Sequence, residues 1–467
     1  MPNPHRRLNV PLSRRQLLGG LGAAGLAAAS PLLGGCTFTK GEPNSSLIRM
    51  GKAPAAGRKY NIEMYSLWGS TTGAGLVNCA EEFEKVQSDI GVRVTFAPTN
   101  GVTQQKLLTA IAGQEPPDCA QLIPYQTPQW AALDMMVDIT DWLEEDGIAL
   151  DDFFGPAAEA MTYQDRIYQL NWDADPNFPF FWNKDLFEKA GLDPEKPPET
   201  IDEVDEYCAK LLKKEGGQTT QIGLTPWSTY GYSNSIFTWG LAFGGQFREP
   251  GTDNVTPDNE YVVKALEWMV KSAELAGGPD AVSITPPSIS LHPFGAGALG
   301  MSPLVAPNLK DIMASKKDMK IGAAQLPYQP PGAQKVGTGA WIGGWSMFVP
   351  KYAKYPRQGY EFIKWLSATQ EGTKAQWENV GFPVSWKQAE CLQTMREDPV
   401  MGAYYDCLVS TVNARPPVLV ADFFVQQLED LVSRAVYKEI TPLAALREAR
   451  LRAEDETKRF LNQVKGS

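Results

Sequence analysis

The chain has 467 residues, 43 Lys and Arg against 54 Asp and Glu, a formal charge of −11 and only two histidines. That acidity argues against nucleic acid or anionic lipid as a partner, and so few imidazoles argue against His-based zinc chemistry. Its six cysteines contain no Cys-x-x-Cys spacing, which removes the usual signature of a metal or dithiol redox site and leaves no cofactor implied.

In chain order, residues 1–35 read as a signal peptide. Arg6, Arg7, Arg14 and Arg15 supply positive charge, and an uncharged run of small apolar residues follows from Leu17 to Gly35. Ser13-Arg14-Arg15-Gln16-Leu17-Leu18 resembles a twin-arginine export motif, and Leu33-Gly34-Gly35-Cys36 resembles a bacterial lipobox, with the Cys36 thiol taking the lipid. Residues 36–58 then form the anchor and a flexible tether rich in Gly, Pro, Ser and Lys. One lipidated terminus holds a domain at the outer face of the membrane without spanning it. About 430 residues remain after cleavage, enough for two domains, and loss of the four arginines takes the charge to −15.

Asn61 to Trp68 alternates as a first strand. Leu76, Cys79/Ala80, Phe83 and Val86 recur at helical spacing, Val92 to Phe96 alternates again, Leu107 to Ala112 marks a second helix, and Cys119 to Ile123 is a third strand. Strand, helix, strand, helix, strand with short connections predicts a parallel sheet covered by helices, with ligands bound beyond its carboxyl ends. Thr200 and Glu203 predict a capping box opening a helix whose inner face carries Ile201, Val204, Tyr207/Cys208 and Leu211. Further helices are predicted from Asp258 to Ala276, stopped by Gly277-Gly278, and from Pro356 and Pro442. An oxidising exterior permits disulfides. Cys79 with Cys119 and Cys391 with Cys407 are the expected pairs, and Cys208 is a free buried thiol.

Three segments depart from this pattern. Gly216 to Phe247 is uncharged and mixes Trp227, Tyr230, Tyr232, Phe237, Trp239, Phe243 and Phe247 with Ser228, Thr229, Ser233, Asn234 and Ser235. Val336 to Pro350 is dominated by Trp341-Ile342-Gly343-Gly344-Trp345-Ser346. The third runs Asn171-Trp172-Asp173-Ala174-Asp175-Pro176-Asn177 and continues into Phe178-Pro179-Phe180-Phe181-Trp182. Aromatic faces beside small polar groups suit a sugar, whose ring offers a C–H face for stacking and a rim of hydroxyls for fixed acceptors. Phe180, Phe181, Phe237 and Phe243 are expected in the core, as are Trp142, Trp268, Trp365 and Trp377. Trp227, Tyr230, Tyr232 and Trp345, on Gly- and Ser-rich stretches, are expected at the site.

The ordered motifs resemble the family 1 extracellular solute-binding proteins. Ile167-Tyr168-Gln169-Leu170-Asn171-Trp172-Asp173 with Phe181-Trp182-Asn183-Lys184-Asp185-Leu186-Phe187 resembles that family's crossover strand and helix start. Phe294-Gly295-Ala296-Gly297-Ala298-Leu299-Gly300-Met301, Gly343-Gly344-Trp345 with Glu361 to Leu366, and Gly381-Phe382-Pro383-Val384 follow in the family's order. The resemblance implies an α/β, two-lobed periplasmic-binding-protein-like fold of type II that closes on its ligand. The expected division is 59–168 with 292–348 as one lobe and 169–291 with 349–467 as the other. It also implies a substrate-binding component of an ABC importer. Its partners are a carbohydrate and permease subunits with a separate ATPase, since no phosphate-loop motif exists here. A monomer is expected.

Carried onto this chain, the resemblance places Trp68, Ser70 and Thr71 at the end of the first strand and Tyr125 and Gln126 at the end of the third. Trp172 and Asp173 follow the crossover. Trp227 and Tyr232 line the far wall, Gly343 and Trp345 the near one, and Phe382 caps the site; Tyr230, Asn234 and Trp341 are added as ligand-binding candidates from the uncharged aromatic segments themselves. No Arg lies in these segments, which favours a neutral carbohydrate over a glycerol-phosphate-type ligand. A secreted glycoside hydrolase would need two opposed carboxylates, and Asp173 and Asp175, two residues apart on an extended segment, are poorly placed for that. The reading is therefore a binding protein and not an enzyme; a surface adhesion protein would not need an aromatic cleft split between two lobes.

Overall fold

The computed structural model describes residues 47–97, 102–228, 230–281 and 292–465. The leader and Cys36 lie outside the described residues. Two lobes, each a sheet flanked by helices, meet at a pair of crossing segments, in the type II arrangement expected. The first lobe is built on a six-stranded sheet in the order Ile48–Arg49, Ile90–Phe96, Tyr60–Ser66, Cys119–Leu122, Trp345–Phe348, Gln169–Asp173. Its centre is parallel, Tyr60–Ser66 pairing with Ile90–Phe96 and with Cys119–Leu122. The helical spacing of Leu76, Cys79, Ala80 and Phe83 buries one face of helix Ser70–Val86 on this sheet. Gly75 of that helix lies so close to a second helix, Gln370–Asn379, that a Cβ would stand 2.4 Å from the Asn379 carbonyl oxygen.

The second lobe carries the three-stranded antiparallel sheet Met301–Pro303, Phe180–Asn183, Ile321–Ala324. Its helices include Tyr232–Ala242, Glu260–Ala276 and Ala421–Val436. This corrects the expected division of the chain. Residues 301–324 hydrogen-bond on both sides of Phe180–Asn183, so they belong to the second lobe and not with 59–168. Gly322 lies flat on Trp182, where a Cβ would meet the indole at 2.0 Å. Conversely, Gln169–Asp173 pairs with Trp345–Phe348 in the first sheet. Helix Pro356–Ala368 packs there too, Phe362 lying 5.3 Å from Phe83 between ring centroids.

The crossing is a short antiparallel ribbon, Pro176–Asn177 against Trp341–Ile342. Gly344 permits it. Its φ is +92°, and a Cβ would stand 2.2 Å from the Asp173 carbonyl oxygen, so no side chain fits where the two crossing segments touch.

Capping follows the sequence signals. Thr200 Oγ1 accepts from Glu203 N and the Glu203 carboxylate accepts from Thr200 N. Helix Glu260–Ala276 starts on the Asn259 side chain and stops at left-handed Gly277. The disulfides do not form: Cys79, Cys119, Cys208, Cys391 and Cys407 are all free. Cys79 and Cys119 are fully buried core residues, and burial raises their thiols, Cys79 to about 12.

Candidate functional site

Between the lobes lies a cavity of about 300 Å³. The carboxyl end of strand Cys119–Leu122 delivers Ile123, Pro124 and Tyr125 to one wall, and Trp345 stands on the same side. The opposite wall holds Tyr230, Asn234, Val305 and Arg415, and the crossing segments supply Asp175, Asn177 and Gly343 to the floor. Both lobes and both crossing segments therefore share one space.

Each lining side chain is fixed by its neighbours. Tyr230 sits at φ +55°, a conformation costly for a non-glycine residue. It is held there by its ring, stacked 5.1 Å from Phe178, and by its hydroxyl, which accepts from Val305 N at 3.2 Å. The following helix start receives Glu429 from helix Ala421–Val436, whose carboxylate accepts from Tyr232 N, Ser233 N and Ser233 Oγ. A carboxylate at that end is favoured by the helix dipole. Asn234 donates to Tyr230 O at 2.9 Å and accepts from the Arg415 guanidinium. Asn177 donates to Asp175 O at 2.8 Å.

Arg415 is the residue that sequence reasoning missed. Its guanidinium lies 4.8 Å from the Trp341 ring and 5.2 Å from the Tyr125 ring. Burial holds it below its ordinary value, partly offset by Tyr125, Asp175 and Asp422. The Tyr125 hydroxyl is pushed up to about 12, chiefly by burial. One signal was available: between Asp406 and Asp422, Arg415 is the sole charged residue. The floor is acidic. Asp175 is 7% exposed and its Oδ1 receives no hydrogen bond. Burial raises its carboxyl to about 8, against a lowering influence from Arg415. Asp173 is fully buried, both its oxygens lack partners, and burial and Asp175 hold it well above the carboxylate range.

Of the expected site residues, Tyr125, Tyr230, Asn234, Gly343 and Trp345 line the cavity. Trp68 and Phe382 stand behind Trp345: Trp68 is 4.8 Å from Trp345, edge to face, and stacks on Phe382 at 5.3 Å. The others fall elsewhere. Trp227 is 1% exposed, a core residue of the second lobe whose Nε1 donates to Pro279 O at 3.0 Å. Trp341 is likewise buried, its Nε1 donating to Thr238 Oγ1, and it touches the site only as the platform under Arg415. Trp172 is fully buried beside Trp68. Asp173 lies behind the lining, and Asp175 takes the place expected for it. Gln126 turns inward, accepting from Ile123 N and donating to Asp422. Tyr232 is engaged with Tyr437, away from the cavity. Ser70 and Thr71 begin helix Ser70–Val86; their side chains lie outside the described set. The residues expected as core, Phe180, Phe181, Phe237 and Phe243, are all buried.

Comparison with known proteins agrees with this architecture. Residues 68–373 match the model of a family described as bacterial extracellular solute-binding protein. A Deinococcus radiodurans protein named a probable ABC transporter-binding protein is 24% identical over 320 residues, 62% of this chain and 70% of that one. An Agrobacterium fabrum sn-glycerol-3-phosphate-binding periplasmic protein is 26% identical over 293 residues, 59% of this chain and 65% of its own length. Among solved structures, CpMnBP1 with mannobiose bound superposes with a TM-score of 0.74 at 23% identity, covering 85% of this chain and all of that one. A Listeria monocytogenes ABC substrate-binding protein in complex with cycloalternan gives 0.72 at 21% identity, covering 86% and 99%. At these identities the structures share the fold.

Proposed function

The chain belongs to the bacterial extracellular solute-binding protein family, and from that premise we propose that it captures a carbohydrate between its lobes and delivers it to the permease of an ABC importer. The observation that carries this reading is the cavity itself, where Tyr125, Tyr230 and Trp345 alternate with Asp175, Asn177, Asn234 and Arg415. Rings of this kind stack on the C–H face of a sugar, and the fixed polar groups meet its hydroxyls. The solved structures with mannobiose and cycloalternan bound share this fold and lend support. The two lobes close about the ribbon at Pro176–Asn177 and Trp341–Ile342. The chain performs no catalysis in this reading; a separate ATPase drives transport. It works as a monomer held at the outer face of the membrane through lipid on Cys36, which replacement of Cys36 by Ala and metabolic lipid labelling would test.

A second reading, glycerol phosphate, gains from Arg415 and from the Agrobacterium relative. Against it, the guanidinium that a phosphate would call for is already engaged with Asn234 and Tyr125. A calorimetric screen of mono- and oligosaccharides beside sn-glycerol 3-phosphate decides. Saturable binding of a sugar with no product formed supports the proposal; tight binding of the phosphate alone, or turnover of the sugar, overturns it.

A further inference from the structure

The floor of the cleft holds more acid than its visible partners satisfy. Asn171 and Asp173 flank Trp172 in strand Gln169–Asp173, where the register against Trp345 and Ser346 shifts. Asp175 follows, near enough to raise the Asp173 carboxyl. All three are buried, and their side-chain atoms are orphaned together: both polar atoms of Asn171, both oxygens of Asp173 and Oδ1 of Asp175. Behind Arg415 stands a third carboxylate, Asp422, which already accepts from Gln126. Among the described residues one guanidinium, Arg415, bears on Asp175, and it is engaged with Asn234 and Tyr125. The other titratable groups in the electrostatic reach of Asp175 are Tyr230, Tyr404 and Cys407, each raised by burial and neutral.

Resting on the carbohydrate reading, we propose that the ligand carries a protonated amine, as an amino sugar or aminated oligosaccharide does, seated against Asp175 with Asp173 behind it. Sugar hydroxyls would satisfy some of these acceptors but would leave the carboxyls to hold their protons. An ammonium group offers three donors and the missing positive charge together. A uronate or phosphate would raise the cost of ionising these carboxyls further. A bare metal ion would balance the carboxylates but leave Tyr125, Tyr230 and Trp345 without a partner. Burial raises the Asp175 carboxyl to about 8 and, together with Asp175, holds Asp173 well above its ordinary value, so Asp175 keeps its proton near neutral pH until a cation is seated beside it. Entry of the ammonium group then displaces protons to solvent.

The test is titration calorimetry of the full chain at pH 6.5 with β-1,4-linked glucosamine oligomers, their N-acetylated counterparts and glucose oligomers of equal length. The aminated series should bind roughly tenfold tighter or better, as a charge-assisted contact replaces a neutral one. Asp175→Asn should bring the ratio between aminated and acetylated series close to one. Heats in two buffers of different ionisation enthalpy should show proton release on binding, lost in Asp175→Asn. Equal or tighter binding of the uncharged oligomers overturns this inference while the carbohydrate reading stands. Binding of no carbohydrate, with sn-glycerol 3-phosphate binding instead, overturns both.

Discussion

Trp227 and Trp345 were equal candidates by sequence, and the structure gives them opposite roles that two substitutions separate. Trp227 is 1% exposed in the second lobe and anchored to Pro279 O. Truncating such a side chain removes its transfer energy, leaves a cavity and orphans a carbonyl, which together cost about 3–5 kcal/mol. Trp227→Ala should therefore lower the urea midpoint markedly, while protein that remains folded binds ligand with nearly native affinity. Trp345 is half-buried, packed edge to face on Trp68, and lines the cavity. Its loss should cost only about 0.5–1.5 kcal/mol of stability, the size of an aromatic pair. It should weaken binding by about 1–3 kcal/mol, the burial lost with the ring. Denaturant melts and calorimetry on both variants give the two numbers for each. Weak binding with native stability in Trp227→Ala, or the reverse pattern in Trp345→Ala, would refute the assignment of one indole to the core and the other to the cleft.

Other substitutions probe the frame and its ionisation. Gly344→Ala puts a Cβ against the Asp173 carbonyl at φ +92° and should cost about 2 kcal/mol or more, read as a fall in melting temperature. Thr200→Ala removes half of a capping box and should cost about 1 kcal/mol without changing affinity. The Asp175 carboxyl is raised from 3.8 to about 8 in the folded state, so unfolding releases its proton between those values. Its contribution to the unliganded protein is full below about pH 4 and is lost as pH rises through about 8, and Asp175→Asn should flatten that slope. His292 is buried, accepts from Phe294 N through Nδ1, and is lowered from 6.5 to about 4. The unfolded chain takes up its proton first, so this residue destabilises the fold as pH falls from 6.5 towards 4. His292→Gln should remove that part of the acid sensitivity in pH-dependent melts.

The parts of the fold that local chemistry dictates were legible in the sequence. The alternating runs became strands Tyr60–Ser66, Ile90–Phe96 and Cys119–Leu122, and Thr200, Gly277, Pro356 and Pro442 mark helix ends as their chemistry requires. The lobe boundaries were not legible, because strand partners are chosen across long stretches of chain. Nothing near Met301 or Ile321 states that both will pair with Phe180–Asn183. The cysteine pairs failed for a related reason: Cys79 and Cys119 have the composition of a disulfide but lie on a helix and a strand whose packing uses them as small buried apolar groups.

The cleft was half legible, and the half that failed shows where sequence stops. An aromatic on a polar, glycine-rich stretch can face either way. Trp227 and Tyr230 are three residues apart, yet Trp227 drops into the core while the left-handed turn at Tyr230 and Gly231 swings the phenol into the cavity. That turn is held by Glu429, about two hundred residues further on, so the decision is made by a residue the local pattern does not contain. Arg415 makes the same point for charge. Without it the site reads as neutral; the fold brings it from a distant segment to within electrostatic reach of Asp175. Ring type and local spacing are legible along the chain, while the charged groups that face one another across the cavity emerge only when the lobes are assembled.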